Sequence, residues 1–93
     1  MSGSIALESR LDYQSIVPLS EALKAAPAGE MVLDAARVSH IGAQALQVIL
    51  SAIKTRAGAG GSARIINVSD SCIDQLGLFG FTPESLSQPE GWT

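Results

Sequence analysis

The sequence is short of the residues from which chemical sites are usually built. It has one cysteine and one histidine in 93 residues. An all-protein zinc cage of Cys and His needs several such ligands, so no metal site of that kind is expected. A lone cysteine excludes an internal disulfide and suits a reducing compartment, which points to the cytoplasm. Aromatic residues are only 4%, which leaves the core to Ala, Val, Ile and Leu. Basic residues are also few, six against nine acidic for a net charge of −3. A nucleic-acid module needs a basic face to neutralise phosphates, and this balance argues against one. No apolar run reaches the ~18 residues of a membrane span, and the opening MSGSIALESR lacks the basic-then-apolar order of a signal peptide. No direct membrane insertion and no cofactor are therefore expected.

What the chain does contain is aliphatic. Hydrophobic residues make up 46% and charged residues 16%, too apolar and too weakly charged for disorder. The length is below that of one typical ~150-residue domain, so residues 1–93 read as a single domain with one thin core. Ser4 to Leu11 places Ile5, Leu7 and Leu11 on one parity, the pattern of a half-exposed strand. Ile16, Leu19, Ala22, Leu23 and Ala26 follow at helical spacing, with Ser15 as the candidate N-cap and Pro18 in the first turn, where its missing N–H is harmless. Pro27 and Gly29 stop that helix. Met31-Val32-Leu33 is a short run suited to a strand covered on both faces. The strongest helical signal is Leu46, Ile49, Leu50, Ile53 and Ala57. Gln44, Gln47, Ser51 and Lys54 lie opposite, and Lys54 and Arg56 suit the negative end of the helix. Gly58 to Gly61 end it. Ala63 to Val68 is a further strand, and Ser69 or Asp70 caps a short helix with Cys72, Ile73 and Leu76 as its apolar residues. Beyond Pro83 the sequence reads as one helical turn and a loose polar end. The alternating β, α order predicts an α/β fold, a mostly parallel sheet with helices packed mainly on one face.

Few residues could carry chemistry. Cys72 and His40 have the residue types of a nucleophile pair, but Cys72 lies among apolar helix residues and reads as a small core residue. His40 falls in a strand-to-helix connection and reads as a surface residue or a partner contact. Asp12 and Asp34 each close an element, which suits turns or caps; nothing in the spacing brings them to one pocket as acid and base. The Gly58–Gly61 cluster follows a helix and precedes a strand, the reverse of a phosphate-binding loop, so it reads as helix termination. The Gln44/Gln47/Ser51/Lys54 face is polar and almost uncharged. It reads as a solvated face or as a protein-binding face recognised by hydrogen bonds and shape. Tyr13 and Trp92 are further exposed candidates, the latter in a terminal position where order is often poor. No catalytic residue is assigned.

A family resemblance enters at Met31-Val32-Leu33-Asp34, followed by Val38-Ser39-His40-Ile41 and Gly42-Ala43-Gln44-Ala45-Leu46. This order resembles the STAS domain, the fold of bacterial anti-sigma factor antagonists: an apolar strand ending in Asp, a turn, a Val, then Ile-Asp-Ser/Thr-x-Gly opening an apolar helix. Gly60-Gly61 before Ala63–Val68, and Ile73 through Leu76 to Gly80, are similar to later parts of the pattern. Leu7 to Leu11-Asp12 looks like its Leu-x-Gly-x-Leu-Asp lead-in, with Ser9 at the glycine. The resemblance covers roughly residues 4 to 82 and leaves 83–93 as an extension. Leu46 to Ala52, LQVILSA, also resembles short STAS proteins encoded beside bacterial chemotaxis genes.

The resemblance implies a non-catalytic signalling module that binds an anti-sigma factor or a histidine-kinase-like protein through the start of the 44–57 helix. The partner-binding residues it implies are Gly42, Ala43, Gln44 and Gln47, flanked by Arg37 and His40. The hydroxyl residue that is phosphorylated in kinase-regulated family members falls at Ala43, and the motif Asp falls at Gly42, so no phosphorylation is expected there. Phosphate in such a switch would block the partner by charge and bulk. Two alternatives follow from the same resemblance: a cytoplasmic accessory subunit of an ABC-type lipid transporter, and a small-ligand-binding module. For the latter, a small chain with few aromatics offers limited room for a large apolar pocket.

Overall fold

The computed structural model describes residues 4–26 and 29–91. The chain runs β1 (Ile5–Ala6), β2 (Arg10–Leu11), α1 (Ile16–Ala25), β3 (Glu30–Asp34), β4 (His40–Ile41), α2 (Ala43–Gly58), β5 (Ser62–Ile66), α3 (Asp70–Leu78) and α4 (Pro83–Leu86). Strand β3 is central, with β1 and β5 parallel on its two sides. A second parallel pair joins β2 to β4. The predicted alternation of strands and helices and the parallel sheet are both present.

The expected strand over Ser4–Leu11 is broken in two. Leu7 N–H still donates to Asp34 O at 2.9 Å, continuing the β1–β3 ladder by one rung. After that rung the chain leaves β3 and pairs instead with the segment that follows it, Arg10 against His40 and Leu11 against Ile41. The apolar parity survives the break: Ile5 is half-buried, and Leu7 and Leu11 are buried.

Register sorts the two faces of the main sheet. Ile5, Met31, Leu33, Ala63 and Ile65 share one face and pack into a single core with Leu19 and Leu23 of α1 and Leu46, Ile49 and Ile53 of α2. The other face carries Ala6, Glu30, Asp34, Ser62 and Arg64, all exposed or half-buried. There Arg64 Nε donates to Glu30 Oε2 at 3.1 Å. Val32 lies on this outer face opposite Arg64 and is nonetheless buried. Ala22 and Ala57, read from spacing as part of the apolar stripes, are exposed.

One helix start differs from expectation. Ser15 does not cap α1 with its side chain. Asp12 does the local capping, accepting from Gln14 N–H at 3.1 Å and opening a 3₁₀ turn over Tyr13–Ser15 that leads into α1. Ser15 is buried, and its hydroxyl donates back to Arg10 O at 2.9 Å. Ser69 caps α3 as expected, accepting from Cys72 N–H at 3.1 Å. The residues leading into β5 and β3 meet closely: a Cβ on Gly61 would lie 2.5 Å from Gly29 O, so the glycine is required by backbone packing.

The chain after Pro83 is not loose over its described part. Thr82 and Ser85 form a reciprocal capping box at the start of α4, Leu86 is 1% exposed and belongs to the main core, and α4 lies against β5. Sequence spacing missed this because one buried leucine among polar residues has no period. Leu86→Ala should therefore destabilise the protein by about 2–5 kcal/mol in urea unfolding. A free tail would give a change within about 0.5 kcal/mol.

Candidate functional site

The residues expected to meet a partner lie where β4 turns into α2. Gly42 is the N-cap of α2, with extended backbone (φ −81°, ψ 158°) and no side-chain cap. Its N–H donates to Leu11 O at 2.7 Å and its carbonyl accepts from Leu46 N–H at 3.0 Å. A Cβ at this position would come within 3.3 Å of Leu11 O, a tight contact that would require the neighbouring backbone to give by a few tenths of an ångström. Ala43, Gln44 and Gln47 are exposed on the first turns of α2, and Arg37 is exposed in the preceding turn; His40 is half-buried in β4. The side chains of Gln44 and Gln47 have no hydrogen-bond partner among the described residues.

The backbone leading to this helix start is held from two sides. On one side, Ser9 O accepts from Ser39 N–H at 2.8 Å, from His40 N–H at 3.2 Å and from the Ser39 hydroxyl at 3.0 Å. On the other, α3 reaches across: the Ser69 hydroxyl donates to Val38 O at 2.6 Å, and Gln75 Oε1 accepts from Ile41 N–H at 3.2 Å. Ser9, Ser69 and Gln75 thus position the site through its backbone. In the sequence Ser69 reads only as a cap, and Gln75 carries no signal. A side chain reaching a backbone group 34 residues away leaves no local pattern to detect.

Asp34 and Asp12 serve turns. Asp34 Oδ1 accepts from Ala36 N–H at 3.0 Å and Oδ2 accepts from Asn67 Nδ2 at 3.3 Å. Asn67 itself has a positive φ of 54°, a conformation asparagine tolerates better than most residues. Tyr13 is 71% and Val17 66% exposed, and the Tyr13–Ser15 turn packs beside α2. Tyr13 therefore sits on a turn beside α2, and Val17 lies in the first turn of α1. Trp92 lies outside the described residues. No group of three or more His, Cys, Asp or Glu among the described residues could hold a metal ion, and no described helix is long and apolar enough to cross a membrane.

A groove of about 930 Å³ runs between α1 and α2 from Ile16 and Gln44 at one end to Lys24 and Arg56 at the other. The expectation of limited room for a pocket understates this feature. Its depth comes from small side chains on the facing helix surfaces, Ser20, Ser51 and Ala52 among them. Compared with known proteins, the chain matches no family model and no curated protein.

Cys72 is fully buried, and burial pushes its thiol above the ordinary value. The unfolded chain then loses this proton at lower pH than the native chain. In that interval the native state binds more protons, so stability falls as pH rises past the unfolded thiol value of about 8.5. Cys72→Ala should flatten that alkaline decline in a series of urea titrations, and iodoacetamide should label Cys72 only after denaturation. Separately, Ser69→Ala removes both the α3 cap and the tie to Val38. It should cost about 1–2 kcal/mol, read by thermal or urea unfolding.

Proposed function

We propose that this chain is a non-catalytic interaction module of the STAS type, which binds an anti-sigma or histidine-kinase-like signalling protein through the start of α2. The observation that carries the reading is the pairing of a fixed backbone with an open surface. Segment 38–42 is tied by Ser9, Leu11, Ser69 and Gln75, while Ala43, Gln44 and Gln47 project small or uncharged groups outward. Surfaces built on rigid elements lose little entropy when a partner docks. Small residues let a partner backbone approach, and two unpaired amides offer hydrogen bonds that give direction without charge. Exposed Tyr13, on the turn beside α2, adds an apolar contribution of the kind that anchors interfaces.

The STAS reading draws further support from the β, α order and the parallel sheet, which agree with the motif order from Met31 to Leu46. On this reading the position of the phosphorylated hydroxyl is Ala43 and that of the motif Asp is Gly42. The close approach of Gly42 to Leu11 O fits a helix start built without the acidic side chain. The module would then bind its partner without a phosphorylation switch at this position.

Two variants test the surface. Ala43 and Gln47 are both exposed, so neither substitution disturbs the core. A glutamate in the first helical turn is favoured by the helix dipole, so Ala43→Glu should fold normally. In pull-downs from the native host, Ala43→Glu and Gln47→Arg should each lose most of the partner recovered with the wild-type chain. Equal recovery with both variants would remove the proposed surface. Intact-mass measurement of protein from the host should show no phosphate on the loop leading into α2; a regulated, stoichiometric phosphate there would overturn the view that the switch is absent.

A further inference from the structure

We propose that the groove between α1 and α2 binds a single-chain anionic amphiphile, of the fatty-acid carboxylate class, with its chain along the groove and its head at the Lys24 and Arg56 end. Three observations converge. The groove floor is apolar, with Leu23, Val48 and Ala52 along its length. Its lining holds two cations and, among the described residues, no carboxylate, although the chain as a whole carries −3. Its length suits an extended chain, since the helix from Gln44 to Ala59 spans roughly 22 Å at 1.5 Å per residue.

The charge preference has a definite origin. Lys24 and Arg56 lie in the last turns of α1 and α2. The negative ends of these two helices oppose an anion there, so selectivity for one must come from the cationic side chains. Reversing one of the two charges should then cancel the selectivity, and reversing both should invert it. The contribution of the floor is different in kind: it rises with each methylene removed from water and does not depend on the head.

Isothermal titration of the full chain with octanoate, decanoate and dodecanoate, each below its micelle concentration, tests both contributions. Affinity should rise by up to about fifteenfold for each added pair of methylenes. Dodecyltrimethylammonium should bind at least tenfold more weakly than dodecanoate. Lys24→Glu, which leaves Arg56 as the one cation of the lining among the described residues, should erase most of that preference, and Lys24→Glu combined with Arg56→Glu should invert the order. Ser51→Trp, on an exposed position of the groove wall, and Ala52→Trp, on the floor, should each abolish binding of both ligands; circular dichroism checks that the variants remain folded, and Ser51→Trp alone suffices if the floor variant does not. Equal binding of the two dodecyl heads, no dependence on chain length, or full binding by a folded Ser51→Trp variant would overturn the proposal. Sedimentation with phosphatidylglycerol vesicles, without a saturable site for monomeric dodecanoate, would assign the groove to a membrane surface and overturn it equally. A dimer that buries the groove would do the same. The proposal does not rest on the partner reading: Ala43 is outside the groove lining, so Ala43→Glu should bind dodecanoate normally even where it loses a protein partner.

Discussion

The arrangement depends on one run of backbone hydrogen bonds, the parallel ladder between residues 5–11 and residues 33–42. It begins as β1 on β3, continues through Leu7 N–H to Asp34 O, passes the irregular stretch where Ser9 O gathers the donors of Ser39 and His40, and ends with Gly42 N–H on Leu11 O. Parallel pairing fixes both chains in the same direction at the same height. The helices that follow the two chains, α1 and α2, therefore start close together and run side by side. Both the exposed helix start and the groove follow from that adjacency. Gly42 sits at the end of the ladder, where a Cβ would need the facing backbone to give by a few tenths of an ångström.

The elements were legible in the sequence wherever burial is periodic. Leu19 and Leu23, then Leu46, Ile49 and Ile53, announce two helices and their buried faces. Met31-Val32-Leu33 announces the central strand, and all three residues are buried. Legibility fails where one residue acts alone or across a long separation. Leu86 is a single buried side chain in a polar stretch. Ser15 looks like a cap from its position, yet its hydroxyl turns inward to Arg10 O while Asp12 performs the capping. The break between β1 and β2 is equally invisible, because the apolar parity of Ile5, Leu7 and Leu11 continues unchanged across it.

The candidate site shows the same division. Of its outward residues, Gln44 and Gln47 follow from helical phase, since they lie opposite Leu46 and Ile49, whereas Ala43, three residues before Leu46, does not. Nor does the support of the site. Ser69 and Gln75 act on Val38 and Ile41 through contacts that only the assembled fold creates. The groove was hidden for a related reason. A sequence poor in aromatics indicates a small core, but open space between helices depends on which small residues face each other, and Ser20, Ser51 and Ala52 are unremarkable in isolation. Gln44 and Gln47 line the groove as well as the exposed helix start, so the two surfaces share an edge.

The ladders also carry a kinetic consequence. Ile5 pairs with Leu33, Arg10 with His40, and Leu33 with Ile65, so each closes a loop of about 30 residues. Among the described residues no hairpin joins neighbouring strands, and the chain lacks a local β nucleus. Helices α1 and α2 can form early, since their contacts are short in sequence, whereas β3 must capture a strand on each side after ordering long crossovers. The same ladder that holds the helix start rigid in the native state is thus among the last features to assemble, and an unpaired β3, with Met31-Val32-Leu33 uncovered, is the species most exposed to misassociation along the way.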